Sequence, residues 1–183
     1  MANAIITGIQ KSGLPADITV GEPVADRRAV LESAGVAATA DNAVAVTGAD
    51  IVVLAVKPQQ LAAVAGDLAS IIEPHQTVVS ILAGVKMHSI GLTLNHHRLV
   101  RIMPNTPAQI GHGMCVWTAS TDVSQEVRTF VERCLDALGE QAYVDDEKYL
   151  DMATAVSASG PAYVFRFIEG MIDGAVLLGM PPD

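Results

Sequence analysis

The chain is poor in aromatic residues. One Trp, three Tyr and three Phe make up 4% of 183 positions, although half of all residues are apolar. Its core must come from Ala, Val, Ile and Leu, which favours a buried parallel sheet with Ala-rich helices over an all-β sandwich. Cysteine is also scarce: Cys115 and Cys134 stand apart with no CxxC spacing. A disulfide framework is therefore not expected, and a reducing compartment fits. Basic residues are outnumbered, 11 Lys and Arg against 20 Asp and Glu, for a formal net charge of −9. Nucleic-acid binding needs clustered positive charge, so no such partner is expected. No apolar run reaches the roughly 18 residues of a membrane span, and no charged-then-apolar leader opens the chain. The expected location is the cytoplasm, with no membrane partner. The histidines His75, His88, His96, His97 and His112 form no HxxxH or His/Cys cluster, so no metal site is expected.

What is present is an alternation of short β-rich runs with helical patterns, the mark of an α/β fold. Met1 to Gln10 reads as the body of a helix with Ile5, Ile6 and Ile9 on one face, without a capping residue or a strand ahead of it. Strands are expected at Asp17 to Val20, weakly in "GVAAT", and at Ile51 to Val56, Thr77 to Leu82, Leu99 to Met103, Met114 to Ala119 and "QAYV". The run Ile51 to Val56 is continuously apolar, as for a strand covered on both faces. Helices are expected from Val24 to Ser33, stopped at Gly35, and after Pro58 until Pro74. Another should be capped by Asp122 or Ser124 and closed by Gly139. After Asp145 the strand signal ends, and two helices broken at "SASGP" follow. The chain therefore divides into an α/β unit, residues 1–145, and the start of an all-α unit, residues 146–183.

Parallel α/β sheets bind ligands beyond the C-terminal ends of their strands. Four loops occupy such positions: "GEP" at Gly21 to Pro23, "KPQ" at Lys57 to Gln59, "AGV" at Ala83 to Val85, and "MPNTPA" at Met103 to Ala108. Each carries Gly, Pro, Asn or Thr, residues that fix turns or admit close approach to a ligand. In combination, "VVLAVKPQ", "SILAGV", "RIMPNTPAQIGHG" and "SASGPAYVFRFIEGMIDGAVLLGMP" resemble the pyrroline-5-carboxylate reductase family over essentially the whole chain.

That resemblance implies a Rossmann-like domain followed by a helical domain that builds an intertwined homodimer or higher oligomer. It implies reduction of 1-pyrroline-5-carboxylate to L-proline by NADPH or NADH, the last step of proline biosynthesis. It also implies that a strand and a glycine-rich turn normally precede Met1, and that further helices normally follow Asp183. The expectation is a fragment lacking parts at both ends, with little turnover of its own. Two other readings stand beside this one: a non-catalytic fragment acting as an interaction module, and another imine or 2-hydroxyacid reductase of the same superfamily.

By resemblance, Met1 and Ala2 follow the cofactor's phosphate turn. Glu22 falls where the adenosine ribose is read. An acid at that place can accept from the ribose 2′-OH and disfavour a 2′-phosphate, which leans towards NADH. Arg27 and Arg28 stand nearby, and Asn42 falls near the adenine end or simply begins a helix. Ala55, Val56, Lys57 and Pro58 would lie along the nicotinamide half, with Ala83 and Gly84 at a second cofactor-facing turn. Asn105 and Thr106 would line the nicotinamide and substrate pocket, with the Asn105 amide available to a carboxamide or a water. Ser157, Ser159 and Gly160 would face the same pocket from the helix break, where Ser159 also reads as an N-cap before Pro161. Ala158 stands where most relatives have glycine. No general acid is named. The apolar residues from Val164 to Leu178, nearly all round one helix, suit a buried or dimer-facing surface.

Overall fold

The computed structural model describes residues 1–182. Helix α1 (Ala2–Ser12) ends at Gly13, whose φ of 67° gives the left-handed turn that stops a helix. Strand β1 (Thr19–Gly21), helix α2 (Ala25–Ser33) and strand β2 (Ala37–Thr39) form a small parallel pair with a helical crossover. Asp41 caps α3 (Asn42–Val46), its carboxylate accepting from the Ala43 N–H. Strand β3 (Ile51–Leu54) follows, then a 3₁₀ turn (Pro58–Gln60), α4 (Leu61–Leu68), β4 (Thr77–Ser80), α5 (Met87–Leu94) and β5 (Leu99–Met103).

β3, β4 and β5 are parallel neighbours. A second 3₁₀ turn (Thr106–Ile110) reverses the chain, so that β6 (Gly113–Ala119) pairs antiparallel with β5. After α6 (Gln125–Asp136), β7 (Gly139–Tyr143) closes the sheet in parallel with β6. The chain ends in α7 (Lys148–Ala153), a π-helical turn (Thr154–Ala158) and α8 (Gly160–Leu177).

Period-two alternation gives the five-stranded sheet two apolar faces. Val79, Val100, Ile102, Cys115 and Trp117 pack with Ala4 of α1 and with Val131 and Leu135 of α6. Val52, Leu54, Val78 and Leu99 pack on the other face with Leu61, Ala65 and Leu68 of α4 and Ile90 and Leu94 of α5. Trp117 is the largest side chain in this core, and its Nε1–H donates to Gln141 Oε1 at 2.8 Å. His96 is buried and His97 exposed; the His96 ring lies 2.8 Å from the Gln76 carbonyl through Nε2.

The structure corrects several expectations. β3 stops at Leu54, and it is not covered on both faces. Val52 and Leu54 are buried, but Val53 is 43% exposed: among the described residues β3 is the outermost strand of its sheet, and none of them covers that side chain. Gly139 does not close α6; it opens β7 with φ 134° and lies so close to β6 that a Cβ would meet the Gly113 carbonyl oxygen at 2.3 Å. The close strand approach, not helix capping, is what requires glycine there. Helix α5 was not foreseen, since "MHSIGLTL" mixes polar and apolar residues without a cap. The helices on either side of "SASGP" are not broken apart but joined through the π turn.

Candidate functional site

Along the parallel strands, Leu54 stands opposite Ser80 and Ser80 opposite Arg101. The loops after β3, β4 and β5 therefore leave the sheet along one edge, bringing together three of the four predicted segments. Ala55, Lys57, Pro58, Ala83, Gly84 and Thr106 are all exposed there, and Val56 is half-buried. Gly84 has φ 72°, and nothing lies within 4 Å of where its Cβ would stand. The turn needs a left-handed residue and leaves open space above it. Pro58 takes the first position of its 3₁₀ turn, and the Lys57 N–H donates to Gln60 Oε1 at 3.1 Å, which reverses the chain at the strand end.

Glu22 and Asn42 lie beside the smaller sheet, Glu22 directly after β1 and Asn42 at the start of α3. Glu22 Oε1 accepts from the Val24 N–H at 2.9 Å, and Oε2 lies 3.8 Å from Arg27 Nη1. Arg28 Nη1 donates to the carbonyls of Glu22 and Pro23, at 2.8 and 2.9 Å. The carboxylate is thus held at the start of α2, while Arg28 is engaged with backbone and Arg27 remains exposed. Asn42 begins α3 and presses on the end of β1: a Cβ on Gly21 would stand 2.6 Å from its Oδ1, and its Nδ2 donates to Asp67 at 3.3 Å. At α1, Met1 is exposed and Ala2 half-buried. No side chain caps this helix and no acid sits in its first turn. Its N-terminal N–H groups and the positive end of its dipole are therefore suited to an anion.

Asn105 is already engaged by two partners of its own chain, with one N–H and one lone pair left over. Its Oδ1 accepts from the Met114 N–H at 2.9 Å, and its Nδ2 lies 3.4 Å from the Ser157 carbonyl. The amide bridges the loop after β5, the start of β6 and the π turn. Sequence explains why that carbonyl is available. In an α-helix the Ser157 oxygen would receive the N–H four residues on, but that residue is Pro161, which has none. The backbone widens instead, and the Ser159 N–H reaches five residues back to the Thr154 carbonyl at 3.1 Å. Ser159 occupies the N-cap position of α8 as expected, but its Oγ donates to the same Thr154 oxygen at 2.8 Å and does not cap the helix N–H groups. Neither Ala158 nor Gly160 has positive φ. The alanine therefore fits without strain. Ser157, Ser159 and Gly160 are half-buried where the helical segment meets the sheet edge.

One cluster escaped the sequence reading. Arg101, in the middle of β5, is 1% exposed, and its guanidinium donates to Glu147 Oε1 and Asp151 Oδ1, both at 2.8 Å. Glu147 Oε1 also accepts from the Met87 N–H at 2.7 Å, at the start of α5. The available signal was a lone charge inside the apolar run "LVRIM", since a buried arginine needs carboxylates and "DDEKYLD" supplies them.

A hollow of about 290 Å³ is lined by Ser12, Leu14, Arg133, Asp136 and Ala137, and a groove of about 100 Å³ runs between α1 and α2. Neither includes the predicted strand-end loops. Burial pushes the Cys115 and Cys134 thiols up to about 11, which makes them poor nucleophiles at neutral pH. Among the described residues, no group of three His, Cys, Asp or Glu could hold a metal ion, and no helix is long and apolar enough to cross a membrane.

Comparison with known proteins agrees with this architecture. Residues 1–84 match the family model described as NADP oxidoreductase coenzyme F420-dependent, and residues 147–183 match pyrroline-5-carboxylate reductase dimerisation. The pyrroline-5-carboxylate reductase of Pseudomonas aeruginosa is 39% identical over 183 residues, covering 98% of this chain and 67% of that protein. The structure of a pyrroline-5-carboxylate reductase from Coxiella burnetii superposes with TM-score 0.87 at 33% identity, over 99% of this chain and 68% of that one. The fold is shared as well by Plasmodium falciparum pyrroline carboxylate reductase with NADP bound, at TM-score 0.82 and 24% identity, over 98% of this chain and 67% of that one. This chain spans 64% to 69% of the lengths of such curated relatives. By sequence and by fold, the chain belongs to the pyrroline-5-carboxylate reductase family of oxidoreductases.

Proposed function

We propose that this chain provides the cofactor-binding unit, and the start of the dimerisation unit, of an enzyme that reduces 1-pyrroline-5-carboxylate to L-proline with a nicotinamide cofactor. The observation that carries the proposal is the alignment of the loops after β3, β4 and β5 on one open sheet edge beside the Asn105–Ser157 junction. Met1 and Ala2 would meet the cofactor's phosphates at the start of α1, and Glu22 and Asn42 its adenosine end. Ala55, Val56, Lys57 and Pro58, with Ala83 and Gly84, would run along its nicotinamide half. Thr106, Asn105, Ser157, Ser159 and Gly160 would border the substrate.

The chemistry asks little of the side chains. A protonated cyclic imine accepts hydride readily, so the protein must mainly align the nicotinamide with the imine carbon and keep both there. NADPH is the proposed cofactor, as the family description and the NADP-bound Plasmodium relative suggest. The placement of Glu22 leaves NADH in competition, because its held carboxylate would repel a 2′-phosphate at the proposed ribose position, while Arg27, exposed and 3.8 Å from that carboxylate, would attract one. Self-association through α8 is part of the proposal. Phe165, Phe167, Ile168, Met171 and Leu177 are exposed on that helix, and its segment matches the dimerisation model.

The test is titration of the purified chain with NADPH and with NADH, followed by oxidation of each in the presence of pyrroline-5-carboxylate. Saturable binding with little imine-dependent oxidation is the expected result, because the chain spans only 64% to 69% of the lengths of its curated relatives. Binding with no imine-dependent oxidation at all favours the second reading, an interaction module, which the exposed α8 supports. Failure to bind either cofactor ends the enzyme reading for this chain.

A further inference from the structure

Arg101 carries a cost that its fold alone does not explain. A guanidinium buried to 1% exposure must be paired, and an apolar residue at the same place in β5 would not need to be. The pairing joins three elements. Nη1 reaches Glu147 and Nη2 reaches Asp151, while Glu147 also receives the Met87 N–H. One positive charge thus faces two carboxylates, and the N-terminus of α5 helps to offset the excess negative charge. Glu147 and Asp151 flank the first turn of α7, which runs directly into the π turn holding Ser157. Arg101 lies on the strand that ends in Met103 and feeds the loop of Asn105. The two ends of the Asn105–Ser157 contact are therefore tied to each other through Arg101.

We propose that Arg101 is a positioning residue. By clamping α7 to β5 it sets the height of the Ser157–Gly160 segment over the loop after β5, and so the width of the substrate side of the edge. The proposal rests on reading that edge as the reaction site. Glu147 and Asp151 act with Arg101, and none of the three need touch substrate or cofactor.

The experiment uses the 183-residue chain with Asp151→Ala and Arg101→Lys. Asp151 is partly exposed, so its removal spares the sheet, whereas Lys retains the charge but not the two-pronged geometry. Amide exchange in residues 154–160 is expected to rise about tenfold in Asp151→Ala, with exchange in β4 and β5 unchanged, and to rise less in Arg101→Lys. KM for pyrroline-5-carboxylate is expected to rise about fivefold while KM for the cofactor stays level. A uniform rise across the sheet, an unchanged 154–160 segment, or equal shifts in both KM values would overturn the proposal. If the unmodified chain turns over too little to give KM values, the exchange pattern alone decides the role of Arg101, and cofactor binding separately decides the functional reading.

Discussion

Strand β4 and helix α8 both carry apolar side chains, yet every residue of β4, Thr77 and Ser80 included, is buried and none of α8 is. β4 lies at the centre of the sheet's parallel part, with β3 and β5 as hydrogen-bonding neighbours and helices on both faces. α8 continues from the π turn away from the sheet, and Leu177 and Leu178 are each 89% exposed. The difference teaches that an apolar pattern states a demand for cover without naming what supplies it. For β4 the supplier is local: α1, α4, α5 and α6 are all within the described residues. For α8 the supplier proposed above is another chain, in keeping with the dimerisation model that its segment matches.

The comparison breaks most severely at its covered side. Trp117→Ala removes the largest core side chain and leaves Gln141 Oε1 without its donor. It is expected to cost about 3–5 kcal/mol, enough to unfold a marginal domain, and chemical denaturation with far-UV circular dichroism will measure the loss. On α8 a truncation of similar kind should do something else. Phe167→Ala removes an aromatic ring that is 70% exposed, so the stability of the isolated chain should change by less than about 0.5 kcal/mol. The effect should appear in association instead. Phe167→Glu combined with Ile168→Glu is expected to shift the sedimentation equilibrium to monomer. If both variants lower the unfolding midpoint as Trp117→Ala does, α8 is covered within its own chain and the contrast is lost.

A smaller effect comes from the thiols on the covered side. Burial raises Cys115 and Cys134 from 9.0 to about 11, with the Arg133 charge acting slightly the other way on Cys134. Between those values the unfolded chain has lost protons that the native chain keeps. Stability should therefore be intact below pH 9 and fall as pH rises from about 9 to 11. Unfolding midpoints measured across that range will show the decline. Replacing both cysteines by alanine should flatten it, whereas a decline of the same size in the double variant would assign it to other groups.

The order of strands and the strand-end loops were legible in sequence because each rests on local chemistry. A β-rich run, a Pro at the first helical turn and a Gly after a helix act over a few residues. β5 was read to its residue boundaries, and β6 and α6 within one or two. What was not legible depends on partners distant in sequence. Gly139 looks like a helix stop until Gly113 is seen beneath it, and Val53 looks buried until β3 proves to end its sheet. Asn105 looks like a free amide until Met114 and the orphaned Ser157 carbonyl each take one of its hydrogen bonds, leaving one N–H and one lone pair over. That last link was readable in principle, since Pro161 stands four residues after Ser157, but its consequence was a π turn and not the break that proline suggests. Arg101 was hidden because its carboxylates lie 46 and 50 residues away.

The smallest expected effect lies in the smaller sheet, a region between the two extremes. β1 and β2 are three residues each, and no residue of either is buried. Their order depends on α2 and on the short α3, whose N-terminus is satisfied by Asp41. Asp41→Ala removes one carboxylate acceptor from the Ala43 N–H and should cost about 1 kcal/mol. In a cooperative domain that loss would lower the global midpoint. In a peripheral unit it would appear as faster amide exchange confined to α3 and the β1–β2 pair, while β4 stays protected. The second outcome is expected, because α3 contacts the main sheet region chiefly through α4 and through the Gln76 amide, which donates to the Val46 and Ala49 carbonyls. Cofactor affinity should then weaken with the exchange, since Glu22 and Asn42 both stand at the end of β1. Unchanged affinity alongside faster exchange would remove the smaller sheet from the adenosine side of the proposed site.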